Sequence, residues 1–174
     1  MHRHVAALLA GLPLVAGLAG LAHAQETAEA SVVDNKGASI GTIQLRGSQA
    51  GVVIRVSLKA GALQPGWHGA HMHAVGDCSD TDKFMASKAH VNHDNRKHGL
   101  LNAEGPDNGD LPNLYAAADG SVNAELFTPF VKLSGANGLK DADGSAFVIH
   151  ASEDDHAAQP IGNAGARVAC AAIK

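Results

Sequence analysis

The sequence predicts an all-β sandwich or barrel interrupted by two long functional loops. Three observations carry this. Apolar residues recur at every second position, the alternating runs are short and separated by glycine-rich turns, and two stretches, 74–112 and 151–165, do not alternate. Aromatic residues make up only 3% of the chain, so Val, Ile, Leu and Ala must build the core.

The clearest strand is Val52–Lys59, where Val52, Ile54, Val56 and Leu58 share one face and Val53, Arg55, Ser57 and Lys59 the other. Ser39–Arg46 alternates in the same way with Ile43 and Leu45 inward, and the intervening Gly47–Gly51 reads as a hairpin connection. Val32–Val33 is predicted to begin the first strand. Leu114–Ala118 and Val122–Phe127 flank Asp119-Gly120 and are predicted to form a second hairpin. Ala146–Ala151 and Ala166–Ile173 read as the last two strands. Long loops in compact domains usually serve function, so 74–112 and 151–165 draw the search for a site.

Residues 1–24 carry the signature of a secretory signal peptide: Arg3 as the positive region, an apolar run from Val5 to Leu21, and Ala22-His23-Ala24 as cleavage site. The small-residue cleavage site and the polar residues after it disfavour a retained membrane helix. No cysteine follows the cleavage site to suggest a lipid anchor. Export is expected, with the periplasm as the default bacterial destination. The mature chain, 25–174, would be one domain large enough for its own core. With Arg3 removed, 12 Lys+Arg face 17 Asp+Glu, a net charge of −5, which excludes a nucleic-acid partner. No membrane association of the mature domain is expected.

Between Gly69 and Leu111 lie His71, His73, His90, His93, His98, Asp107 and Asp110. His71 and His73 are two apart, so on a strand both face one way, roughly 6.6 Å apart. One such pair could be chance; three further His and two Asp within the window indicate a metal site. Cys78 and Cys170 are the two cysteines, and in an oxidising compartment they suggest one disulfide, two free thiols being the alternative.

The segments GAHMHAVGDC (69–78), HVNHDNRKHG (90–99), GDLPNL (109–114), FVIHASEDD (147–155) and GNAGARVAC (162–170) resemble the copper/zinc superoxide dismutases of the exported bacterial type. The resemblance covers nearly the whole mature chain in order. It implies a Greek-key β-barrel or sandwich of immunoglobulin-like architecture. It also implies copper and zinc as cofactors and superoxide as the substrate, converted to dioxygen and hydrogen peroxide. By the same resemblance, His71, His73 and His150 are copper ligands, and His90 bridges copper to zinc and carries a proton. His98 and Asp110 are zinc ligands, and Asp154 hydrogen-bonds His71 and His98. Arg167 stands beside the copper position to attract the anion, and Cys78 pairs with Cys170.

Two features stand apart from the family pattern. Where a third zinc histidine is usual, three residues before Asp110, this chain has Asp107. The expected zinc set is therefore His90, His98, Asp107 and Asp110. The loop 151–165 contains no Lys or Arg, so any positive track must combine Arg167 with residues elsewhere, such as Lys83, Lys88, Arg96, Lys97, Lys132 or Lys140. His93 is expected to be a solvated loop residue, and His68 and His156 surface residues. A homodimer is admitted as a partner arrangement. The competing function is a non-enzymatic copper-binding or copper-buffering protein on the same scaffold.

Overall fold

The computed structural model describes residues 25–174. Residues 1–24, for which a leader is expected, with Arg3, His2, His4 and His23, lie outside the described residues. Among the described residues nine strands follow in order: β1 (Glu26–Asp34), β2 (Ser39–Ser48), β3 (Gly51–Leu58), β4 (Gly66–His68), β5 (Ala70–His73), β6 (Leu114–Ala116), β7 (Val122–Thr128), β8 (Ser145–His150) and β9 (Arg167–Ile173). Seven form one curled antiparallel sheet in the order β5-β8-β9-β1-β2-β3-β7, and β4 pairs with β6. The last strand returns to lie beside the first, next to the β1–β2–β3 meander, which is the Greek-key order.

Alternation explains the core. Val52, Ile54, Val56 and Leu58 of β3 are buried, as are Ile43 and Leu45 of β2, while Arg55, Ser57 and Gln44 face solvent. The β2–β3 register runs to Ser48↔Gly51, so the hairpin turn is only Gln49-Ala50, tighter than Gly47–Gly51. β1 begins at Glu26, six residues before the predicted Val32. Its early inward positions are Ala28 and Ala30, small residues with weak strand preference, held by full pairing to β2. Near Val32 and Val33 the register shifts, and β1 continues against β9 through Val33↔Cys170.

The second predicted hairpin does not form as such. The tight turn at Ala117–Ser121 exists, with Ala117 N donating to Ser121 O at 2.9 Å, but its arms join different partners. β7 pairs along its length with β3, whereas β6 pairs with β4, a strand the alternation did not reveal. Gly61 N donates to Asp119 O and Leu63 N to Gly120 O, holding the turn against the preceding loop. β4 leads through Gly69 into β5, and β6 leads into β7, so the small pair links the two edge strands of the large sheet.

Cys78 and Cys170 are bonded, with Cα atoms 5.8 Å apart. The bridge ties the first long loop to β9 beside a small cluster of Phe84, Ala146, Val148 and Cys170. It closes a separation of 92 residues, for which chain entropy gives about 4–5 kcal/mol. Cys170→Ser is therefore expected to lower the denaturation midpoint markedly under oxidising conditions. An unchanged midpoint would contradict this.

Candidate metal centre

The site is organised by the free edge of β5. Met72 N donates to Gly109 O and Val91 N donates to Met72 O, both at 2.8 Å, so the first long loop runs along this edge twice. Isolated bridges set His71 against Asp110 and His73 against His90. Gly109 permits this approach, because a Cβ there would overlap Met72 O. His150 ends β8 and lies opposite Arg167 across the β8–β9 ladder.

The structure brings His71, His73, His90 and His150 together, all buried, with one ring nitrogen of each within 4.8 Å of the others. The remaining nitrogens are engaged. His71 Nε2 donates to Asp154 Oδ2 at 2.7 Å, His73 Nδ1 to Lys88 O at 2.8 Å, and His150 Nδ1 to Gly165 O at 3.0 Å. His90 Nδ1 donates to Asp107 Oδ2 at 2.9 Å. What remains is His71 Nδ1, His73 Nε2, His90 Nε2 and His150 Nε2, buried and unpartnered. Buried polar atoms are nearly always hydrogen-bonded. Four orphaned imidazole nitrogens, each fixed as a lone-pair donor by the bond its other nitrogen makes, fit a metal that favours imidazole.

A second group shares His90. His98 Nδ1 lies 2.6 Å from Asp110 Oδ1, and His90 Nδ1 lies 2.9 Å from Asp107 Oδ2 and 3.6 Å from Asp110 Oδ1. These four donors also cluster within 4.8 Å. Asp107 is 4% exposed and turned inward. Its Oδ1 accepts from Gly109 N at 2.9 Å, and its own N–H donates to Asp110 Oδ2 at 3.0 Å. Two imidazoles and two carboxylates match the donor types and number of a tetrahedral zinc site.

Asp154 joins the groups from behind: Oδ2 accepts from His71 Nε2, and Oδ1 lies 3.2 Å from His98 Nε2. Asn113 grips the Asp154 backbone from both sides, and His156 N donates to Asp154 Oδ1 at 2.7 Å. At Gly162, φ is +59°, and a Cβ would overlap Asp154 Oδ1.

Two histidines differ from expectation. His68 is buried, not at the surface; both ring nitrogens meet carbonyls, Nδ1 that of His150 at 2.7 Å and Nε2 that of Gln64 at 2.8 Å. It is therefore a strut beneath His150. His156 is half-buried, its Nε2 3.2 Å from Asn113 Nδ2, so it also belongs to the scaffold. His93 is exposed, as expected. Of the candidate steering residues, Lys88 has its carbonyl on His73, and Lys132 Nζ donates to Gln49 O at the β2–β3 turn. Asn113, His68 and the carbonyls of Lys88 and Gly165 escaped the sequence reading. GDLPNL contained Asn113, but main-chain acceptors leave no residue-type signal.

The electrostatics separate the two groups. Burial holds His73 well below its ordinary value and His150 down to about 3, and the Arg167 charge acts in the same direction on both. Burial also lowers His71, against the pull of Asp154. For His90, burial is outweighed by Asp107 and Asp110, which raise it. For His98, burial is outweighed by Asp110 and Asp154, which raise it to about 10. Asp110 and Asp154 are held down by their histidine partners despite burial. In the metal-free protein, stabilisation from charged His98 is complete below its unfolded value near 6.5. It is lost as pH rises through about 10. Keeping His150 neutral has the opposite sign: that contribution is present above about 6.5 and is lost as pH falls towards 3. The metal-free protein should therefore melt highest at about pH 6–7 and lower on both sides; a melting temperature climbing steadily to pH 10 would contradict this.

Fold and site together define a β-barrel metalloprotein with two adjacent donor groups that share one imidazole. The family model described as copper/zinc superoxide dismutase (SODC) matches residues 39–173. The superoxide dismutase [Cu-Zn] of Caulobacter vibrioides is 49% identical over 152 residues, 85% of this chain and 86% of the relative. The crystal structure of a SOD-like protein from Bacillus subtilis superposes with a TM-score of 0.79 at 35% identity, covering 84% of this chain and 97% of that one. The Cu/Zn superoxide dismutase from Brucella abortus gives 0.68 at 27%, covering 86% and 100%. The chain belongs to the copper/zinc superoxide dismutase family.

Proposed function

We propose that this protein is an exported superoxide dismutase in which His71, His73, His90 and His150 hold copper and His90, His98, Asp107 and Asp110 hold zinc. The observation that carries the reading is the set of four buried, unpartnered ring nitrogens, each with its opposite nitrogen fixed. Copper, when bound there, supplies one-electron redox chemistry, and zinc supplies a redox-inert structural charge. Everything else belongs to the chain.

Two superoxide anions and two protons give one dioxygen and one hydrogen peroxide. Arg167, opposite His150, presents a guanidinium that attracts and orients the anion. His90 has one nitrogen facing each donor group, so its Nε2 can hold or release a proton on the copper side while Nδ1 would be held by the zinc side. Asp154 fixes the rings of His71 and His98. Superoxide-quenching activity and metal content should be measured on the same purified protein. Activity proportional to bound copper is expected, and copper bound without activity would favour the copper-buffering alternative. Arg167→Ala should keep copper and melting temperature while lowering kcat/KM, with a smaller loss at high salt, where screening weakens attraction of the anion. A large drop in melting temperature with activity per copper unchanged would contradict this role.

The periplasm is the proposed location, supported by the leader signature and the disulfide. Intact mass of the exported protein should begin at Gln25; a species retaining residues 1–24 would overturn the cleavage assignment.

A further inference from the structure

Arg167 is anchored at one nitrogen only. Its Nη1 donates to Phe84 O at 2.7 Å and to Ser87 Oγ at 3.1 Å, and among the described residues no other guanidinium nitrogen bonds to protein. Ser87 is fully buried, a site where a hydroxyl must be satisfied. Its Oγ donates to Phe84 O at 2.7 Å and accepts from Arg167, closing a three-membered hydrogen-bonded ring.

The frame around this ring is rigid. Asp80 accepts from Met85 N at 2.6 Å and from Ala86 N at 3.0 Å, which shapes the turn that carries Phe84 and Ser87. The Phe84 ring is buried with Val148 and Cys170, and Val75 N donates to Ser87 O at 3.2 Å. Asn35 Nδ2 reaches Thr81 O at 2.8 Å and Arg167 O at 3.2 Å, joining the same loop to the Arg167 backbone. Backbone and side chain of Arg167 are thus both referenced to the segment 80–88.

We infer that Ser87 is a positioning residue for the reaction: its hydroxyl fixes the direction in which Arg167 presents its free guanidinium edge to the anion. This rests on the anion-orienting role assigned to Arg167 above. The Ser87 hydroxyl hydrogen-bonds Phe84 O and Arg167, not the metal-donor nitrogens, so its effect must pass through Arg167. Removing the hydroxyl leaves Phe84 O as the single anchor and lets the guanidinium swing.

The test is a double-mutant cycle on the metal-loaded protein with two readouts: kcat/KM for superoxide, and affinity for azide, an anion that reports on the copper position through its visible absorption. Ser87→Ala, and Ser87→Cys as a variant of similar volume, should each weaken azide binding and lower kcat/KM by about fivefold, the scale of losing one of two anchors on a charged group. Copper and zinc content should not change. In an Arg167→Ala background, Ser87→Ala should have no further effect, because the group it positions is gone. If Ser87→Ala leaves both readouts unchanged while Arg167→Ala lowers them, Ser87 does not position the arginine. A Ser87→Ala loss of the same size with and without Arg167 would equally overturn the proposal, by showing general loosening of the site. If Arg167→Ala itself changes neither readout, the role of Arg167 falls, and the positioning role with it.

Discussion

The centre depends on one buried carboxylate. Asp154 spans the two donor groups, one oxygen on His71 and the other on His98, at 2.7 and 3.2 Å. An isolated buried charge is costly unless paired and hydrogen-bonded. Here two imidazole N–H groups and the backbone N–H of His156 meet the carboxylate, and Asn113 fixes its backbone. The bond at His71 Nε2 leaves Nδ1 as the lone-pair donor, so Asp154 helps select the binding tautomer as well as the ring orientation. Gly162 is glycine because any side chain there would fall on this carboxylate. The second long loop is thus shaped around a single anion.

The first long loop follows a different rule. An edge strand offers unpaired backbone groups, and β5 uses them to capture its own loop twice, near Val91 and Gly109. Each capture places donors beside the strand: His90 beside His73, and Asp110 beside His71. The strand's alternation puts His71 and His73 on one side, and the loop brings His90, Asp107 and Asp110 to meet them. The disulfide and the Ser87–Phe84–Arg167 ring then fasten the middle of the same loop to β9.

Much of this was legible in the sequence, for identifiable reasons. Strands β2, β3, β8 and β9 announce themselves because branched apolar residues alternate or run together. The start of β1 does not, since Ala28 and Ala30 carry little strand signal and gain their place from pairing with β2. The Asp119-Gly120 turn is correctly local, yet its arms diverge because β7 finds a longer partner in β3; pairing choice is a tertiary decision that turn chemistry cannot express. At the site, the ligand-type residues were visible from spacing and resemblance. Their supports were not: Lys88 O and Gly165 O are main-chain groups, and His68 resembles a surface residue until the fold places it under His150. Asp107 was named for the zinc set from its position three residues before Asp110, and the structure turns it inward onto His90.

The central claim is that His90 is shared by two metals and that Asp107 completes the zinc side. The most direct measurement is a crystal structure of the copper- and zinc-loaded protein with anomalous data at both absorption edges. Copper is expected on His71 Nδ1, His73 Nε2, His90 Nε2 and His150 Nε2, with zinc on His90 Nδ1, His98 Nδ1, Asp107 Oδ2 and Asp110 Oδ1. Zinc bound with Asp107 turned to solvent, His93 in its place, or only one metal peak in the site would contradict it.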